Sequence, residues 1–149
     1  MDETISLGVE GLDDLTNSIE NLVREYPDRA ADLLVKQARS LRKDVVKMVR
    51  NETDTDGTKK RSLAKLKEYK ISKVQGIGSR QYIEVSGVAP HFHLVENGHR
   101  LVDGKGKAVG KGYVPGYHFM DRATKKRRIE IPKELEGQID QILRKEGLI

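Results

Sequence analysis

Apolar positions recur at helical spacing twice near the start of the chain. Leu12, Leu15, Ile19 and Leu22 lie three or four residues apart, which predicts an amphipathic helix over 12–25. Tyr26-Pro27 interrupts the pattern. Proline suits the first turn of a helix and disfavours helix in the residue before it. A second helix therefore starts near Pro27, with Asp28 favourable at its positive end. Its stripe is Ala30, Leu34, Ala38, Leu41, Val45 and Met48, opposite a Lys- and Arg-rich face. Run unbroken to Arg50, it is about 36 Å long.

Residues 51–60 (NETDTDGTKK) hold no apolar side chain and include Gly57, which predicts a flexible loop. A short segment around Leu63 and Leu66 follows. Two strands are then expected, Tyr69–Val74 and Gln81–Ser86, joined through Gly76-Ile77-Gly78-Ser79 as an antiparallel hairpin. Ala89-Pro90 opens a turn through His91–Glu96 with room for one turn of helix. Six glycines then fall between Gly98 and Gly116. Leu101-Val102 and Tyr113-Val114 frame this stretch and predict a second hairpin with a long flexible basic tip, DGKGKAVGKG, at 103–112. After Pro115-Gly116 a helix carries Phe119, Met120 and Ala123 inward and the KKRR run outward. Pro132 is expected to break it, leaving 132–149 as a separate helix with Leu135, Ile139 and Ile142 on one face. The pattern is α+β: long N-terminal helices on a small antiparallel sheet, a flexible hairpin and a C-terminal helix, in one domain of 149 residues.

Composition narrows the function. Apolar residues make up 36% of the chain and charged residues 34%, with two Phe, five Tyr and no Trp. Such a core is thin and suits a scaffold whose remaining surface meets partners. There is no cysteine, so disulfide frameworks, thiolate zinc sites and thiol nucleophiles are all excluded. The longest uncharged run, Val85–Val95, is too short to span a bilayer. The acidic opening Met1-Asp2-Glu3 lacks the basic stretch of a signal peptide, so a cytoplasmic chain with no membrane partner is expected.

The net charge of +5 conceals an asymmetry. Residues 1–35 hold nine acids and two bases; residues 36–50 hold six bases and one acid; residues 59–73 hold seven bases and one acid. Acidic and basic surfaces on one chain can satisfy each other within it, remain as solvated faces, or meet between copies. A head-to-tail contact between copies generates a ring or a filament.

Candidate chemistry is sparse. Gly104–Gly112 resembles a phosphate-binding loop only superficially, because Lys111 is followed by Gly112 rather than Ser or Thr. His91, His93, Glu96 and His99 could supply nitrogen and oxygen ligands. Packing and hydrogen bonding around a tight turn account for the same residues, and no metal or other cofactor is expected. No serine lies in a nucleophile elbow, and no carboxylate pair is placed for acid–base work. A non-enzymatic protein follows. The Lys and Arg clusters could also grip phosphates without reading sequence, although low aromatic content disfavours base stacking.

The runs APHFHLVENGHRLV (89–102) and GKGYVPGYHFMDRA (110–123) resemble a family of tailed-bacteriophage neck and minor tail proteins, the head–tail connector and tail-completion components of long-tailed phages and prophages. The pattern is an apolar-Glu-x-Gly-His turn at Val95, Glu96, Gly98 and His99, followed by Arg100. A variable hairpin comes next, then Gly116, Phe119 and Met120 opening a helix. Gly11-Leu12 and Gly57 match upstream features, so the likeness spans roughly 11–125. The basic stretch 59–73 and the tail after Pro132 depart from it. The resemblance implies an α+β fold and a ring at the portal-to-tail junction. Its partners would be the chain itself, head-completion or portal-adaptor proteins, and tail-terminator or tail-tube proteins, in the virion after assembly in the host cytoplasm. Charge and flexibility point to Asp13, Asp14, Glu20, Arg39, Arg42, Lys43, Glu96, Gly98, His99, Arg100 and Phe119 as contacts between subunits or rings. Lys59, Lys60, Arg61, Lys105, Lys107 and Lys111 are the candidates for transient contact with DNA.

Overall fold

The computed structural model describes residues 12–53, 61–105, 107–145 and 147. Its elements in chain order are α1 (Leu12–Glu25), α2 (Pro27–Thr53), a 3-10 turn (Leu66–Glu68), β1 (Tyr69–Ile71) and a second 3-10 turn (Gly78–Arg80). They continue with β2 (Val85–Gly87), α3 (Phe92–Asn97), β3 (Gly98–Val102), β4 (Ala108–Pro115) and α4 (Phe119–Lys145). The fold is α+β, with four helices and two antiparallel two-stranded sheets among the described residues.

Tyr26 is the joint between the first two helices. Its N–H donates to the Leu22 carbonyl at 2.7 Å and completes α1. Its own carbonyl accepts from Arg29 and Ala30 N–H, both at 3.1 Å, and starts α2. Pro27, which has no N–H to satisfy, occupies the first helical position. The helix continues to Thr53, into the expected loop; residues 54–60, with Lys59 and Lys60, lie outside the described residues.

The described residues form two compact units. One comprises those up to Gln37, Val74–Ile83 and those from Arg128 onward; the other comprises Ala38–Lys73 and Glu84–Arg127. Each has its own core. In the first, Leu22, Ala30, Leu33 and Ile139 are buried, with Leu15, Ile19, Leu135 and Ile142 against them. In the second, Val45, Val46, Val49, Leu63, Ala64, Tyr69, Ala89, Phe119 and Ala123 are buried.

The first hairpin is more irregular than its alternation predicts. The ladder pairs Tyr69 with Gly87, Lys70 with Ser86 and Ile71 with Val85. Beyond it Ser72 N–H donates to Glu84 O at 2.9 Å, and Gln75 and Tyr82 form an isolated bridge. Gly76, at φ +84°, turns the chain where a Cβ would run into the Arg80 carbonyl. The second hairpin also departs from expectation. β4 begins at Ala108, so half of the anticipated tip is strand. The turn is tied by Asp103, whose Oδ1 accepts from Lys105 N–H at 2.8 Å and Lys107 N–H at 3.0 Å.

Two expectations for the last helix are corrected. Pro132 does not break it: α4 runs from Phe119 to Lys145 with the proline inside. A proline there removes one backbone hydrogen bond. Apolar packing on both sides of it, through Phe119 and Ala123 and through Leu135 and Ile139, outweighs that loss. Nor does the whole KKRR run face outward. Lys125, Lys126 and Arg128 are exposed, but Arg127 is buried, with Nη1 3.9 Å from Asp44 Oδ2. Arg127 lies four residues after Ala123 and so continues the buried stripe. Replacing Pro132 with alanine is expected to stabilise the protein by about 2 kcal/mol, the helix-propensity gain less the added freedom of the unfolded chain. Urea denaturation followed by circular dichroism measures it.

Candidate functional site

The turn that carries the resemblance folds as an internal clasp. α3 is short and ends at Gly98, whose φ of +86° and ψ of 173° lie in a region open almost only to glycine. The carbonyls at its end are met by the approach to α4: Tyr117 N–H donates to Val95 O at 2.9 Å and His118 N–H to Glu96 O at 3.1 Å. Tyr113 Oη donates to Asn97 O at 2.8 Å. In return, the buried Glu96 carboxylate accepts from Met120 N–H at 2.8 Å and Asp121 N–H at 3.1 Å. These are donors of the first turn of α4 with no partner inside the helix, and a negative charge is favourable there. Gly98 and Gly116 pack back to back, since a Cβ on Gly116 would strike the Glu96 carbonyl.

Phe119, 1% exposed, drops into the core directly below. Tyr117 stacks on its ring at 4.9 Å and the Arg122 guanidinium lies 5.4 Å from the ring centre. Arg122 donates from Nη2 to Glu52 Oε1 at 2.7 Å and from Nε to Tyr117 O at 3.0 Å. The hydrogen bond to Glu52 raises its pKa above the ordinary arginine value. Tyr117 carries no signal in the sequence, and Arg122 reads there only as a member of the basic run 122–128. The i,i+3 spacing of Phe119 and Arg122 at a helix start is the signal that could have found the cation–ring pair.

The expected contact residues therefore divide. Glu96 and Phe119 are buried within the chain, and Gly98 is half-buried. For Glu96 and Phe119 this replaces the expected contact role: the carboxylate is a helix cap and the ring is core. His99 is half-buried, with Nδ1 2.8 Å from Arg100 O. Asp14, Glu20, Arg39, Lys43 and Arg100 are exposed, and Arg42 is half-buried; the side chain of Asp13 lies outside the described residues. Among the DNA candidates, Lys105, Lys107 and Lys111 are exposed. Arg61 is instead committed within the fold. At φ +61° it donates from Nε to the buried Glu68 at 2.8 Å and from Nη2 to Val88 O at 2.9 Å. Among the described residues no group of three His, Cys, Asp or Glu is arranged to hold a metal ion, and no helix is long and apolar enough to cross a membrane.

Glu68 and Glu96 also bear on Tyr69. Its hydroxyl donates to Leu63 O at 2.7 Å, and its ring meets Phe92 edge-on at 6.0 Å. Burial first, then the charges of Glu96 and Glu68, push the Tyr69 phenol well above its ordinary pKa. A phenol that holds its proton more tightly when folded contributes full stability below the unfolded value of about 10. That contribution is lost as pH rises beyond it. Stability is expected to fall on the alkaline side of pH ~10, more steeply than in Tyr69→Phe. Denaturation midpoints of both proteins across that range check it.

Two apolar features stand apart from the two cores among the described residues. The β3–β4 arm exposes apolar side chains on both faces beyond His99: Leu101, Val102 (49% exposed), Tyr113 (59% exposed) and Val114. In the other unit, α1, α2, α4 and the turn at Gly78 enclose an apolar pocket of about 230 Å³, lined by Leu22, Val23, Leu33, Leu34, Ile131 and Leu135 among others. Compared with known proteins, the chain matches no family model, no curated protein and no solved structure.

Proposed function

We propose that this chain is a non-enzymatic structural component of the head–tail junction of a long-tailed phage. Copies form a ring that joins the capsid connector to the tail and lets DNA pass. The observation that carries the reading is the β3–β4 arm, with Leu101, Val102, Tyr113 and Val114 exposed on a two-stranded hairpin. Such a hairpin is marginally stable by itself in water, and apolar side chains on both of its faces call for a partner surface. The identity of the assembly rests on the sequence likeness over 89–123 to neck and minor tail proteins. Its partners are then other copies, portal-adaptor or head-completion proteins, and tail-terminator or tail-tube proteins. The protein works in the virion and is made in the host cytoplasm.

A conduit that gripped DNA through many lysines would stall it, because phosphate contacts compound. The basic faces therefore meet protein for the most part, and contact with DNA is transient. Co-sedimentation of the purified chain with purified connector and tail-tube proteins tests the reading. A stoichiometric complex with either is expected; binding to neither overturns it.

Sequence-nonspecific nucleic-acid binding is the second reading. It is favoured by Lys43 and Lys47, exposed on α2 beside a depression that Asn51, Leu66 and Arg50 also line, with Arg50 Nε donating to Ala64 O at 3.1 Å. Duplex binding with a steep salt dependence near physiological ionic strength would select it.

A further inference from the structure

The arm and the pocket lie on different parts of the chain and have complementary chemistry. The arm, from Gly98 to Pro115, carries Arg100, Lys105, Lys107 and Lys111 against Asp103, a net charge of +3. α1 carries Asp13, Asp14, Glu20 and Glu25 against Arg24, a net −3, and Asp14, Glu20 and Glu25 are exposed. The same helix supplies Ile19, Leu22 and Val23 to the apolar pocket. At about 230 Å³ the pocket is smaller than the ~300–1,000 Å³ of drug-sized ligand sites and suits one or two side chains. Ile77, next in sequence to the lining residue Gly78, is 90% exposed. An incoming segment that is apolar and basic matches the pocket and the charge of α1, and the arm is such a segment.

We propose that the β3–β4 arm of one copy docks on the α1 face of a second copy. Val102 and its apolar neighbours seat at the pocket, and Lys105, Lys107 and Lys111 lie over Asp14 and Glu20. The two patches differ, so the contact is head-to-tail, and repeating it gives a closed ring or an open filament rather than an isologous dimer. This deepens the junction reading and rests on it for its biological setting. The contact itself is a property of the chain alone.

The absence of cysteine gives a clean test. Glu20→Cys and Val102→Cys both fall on exposed positions and leave the two cores untouched. Under mild oxidation the full-length double variant is expected to give a reducible ladder of multimers, and each single variant no species beyond a dimer. In parallel, the double change Asp14→Lys, Glu20→Lys is expected to weaken self-association by roughly tenfold or more. Adding Lys105→Glu, Lys107→Glu and Lys111→Glu to that chain is expected to restore it. Oligomers seen by light scattering without a ladder and without rescue overturn the arm-to-α1 contact and leave the junction reading standing. A chain that stays monomeric at every concentration also overturns the contact. The junction reading fails separately, by absence of binding to connector and tail-tube proteins.

Discussion

Gly98→Ala is expected to destabilise the protein by about 3–4 kcal/mol, a large part of the ~5–15 kcal/mol that holds a typical domain folded. Two effects add. The residue sits at φ +86° and ψ 173°, where an L side chain costs about 1–3 kcal/mol. The added Cβ would also lie 2.5 Å from both Tyr113 Oη and Val114 O, and 2.7 Å from Gly116 N. The tyrosine hydroxyl can move, but the two backbone atoms belong to β4 and to the Gly116 turn. Overpacking of this kind costs about 1–3 kcal/mol more. At this chain length the melting temperature should fall by roughly 10 °C. Gly104→Ala is the control. A Cβ there meets nothing within 4 Å, so the change should stay within about 0.5 kcal/mol. Thermal melts of the two variants beside the parent decide the matter.

Glu96→Ala is expected to cost about 2–3 kcal/mol. The carboxylate is buried and holds two backbone donors of α4, and hydrogen bonds to charged groups contribute about 1.5–3 kcal/mol each before the relief of desolvation is counted. Truncation leaves the Met120 and Asp121 N–H groups without their acceptor and removes a negative charge from the positive end of a long helix. Glu96→Gln keeps the shape and one acceptor oxygen, so it should recover about half of the loss. Amide exchange adds a local readout: the Met120 and Asp121 protons should exchange faster in Glu96→Ala, ahead of global unfolding. Equal stability of Glu96→Ala and the parent would mean that the carboxylate does not cap α4.

The long helices were readable because their apolar stripes repeat at three- and four-residue spacing and Tyr26-Pro27 marks the joint between them. The α+β class followed from the same patterning plus two glycine-punctuated hairpins. What escaped depends on tertiary context. Pro132 reads locally as a break, but packing of Leu135 and Ile139 carries the helix through it. The run Lys125–Arg128 reads as a solvated face, yet helical geometry turns one member, Arg127, toward Asp44. Glu96 illustrates the same limit at the candidate site. Its type and spacing marked it as important, but a carboxylate at a turn does not reveal that its partners are backbone donors more than twenty residues away. The pocket was invisible for the same reason, since its walls come from α1, α2, α4 and a 3-10 turn far apart in sequence. The exposed arm was legible in part: apolar pairs framing a basic glycine-rich stretch announced a hairpin, although its turn is shorter than the composition suggested.

On the proposed function, copies of this chain associate into a ring. Mass measurement of the purified full-length protein over a wide concentration range, paired with electron-microscopic class averages of the largest species, tests it most directly. A single closed oligomer with an open centre, forming as concentration rises, is expected. A particle of one subunit's mass at every concentration, or an isologous dimer that grows no further, would contradict it.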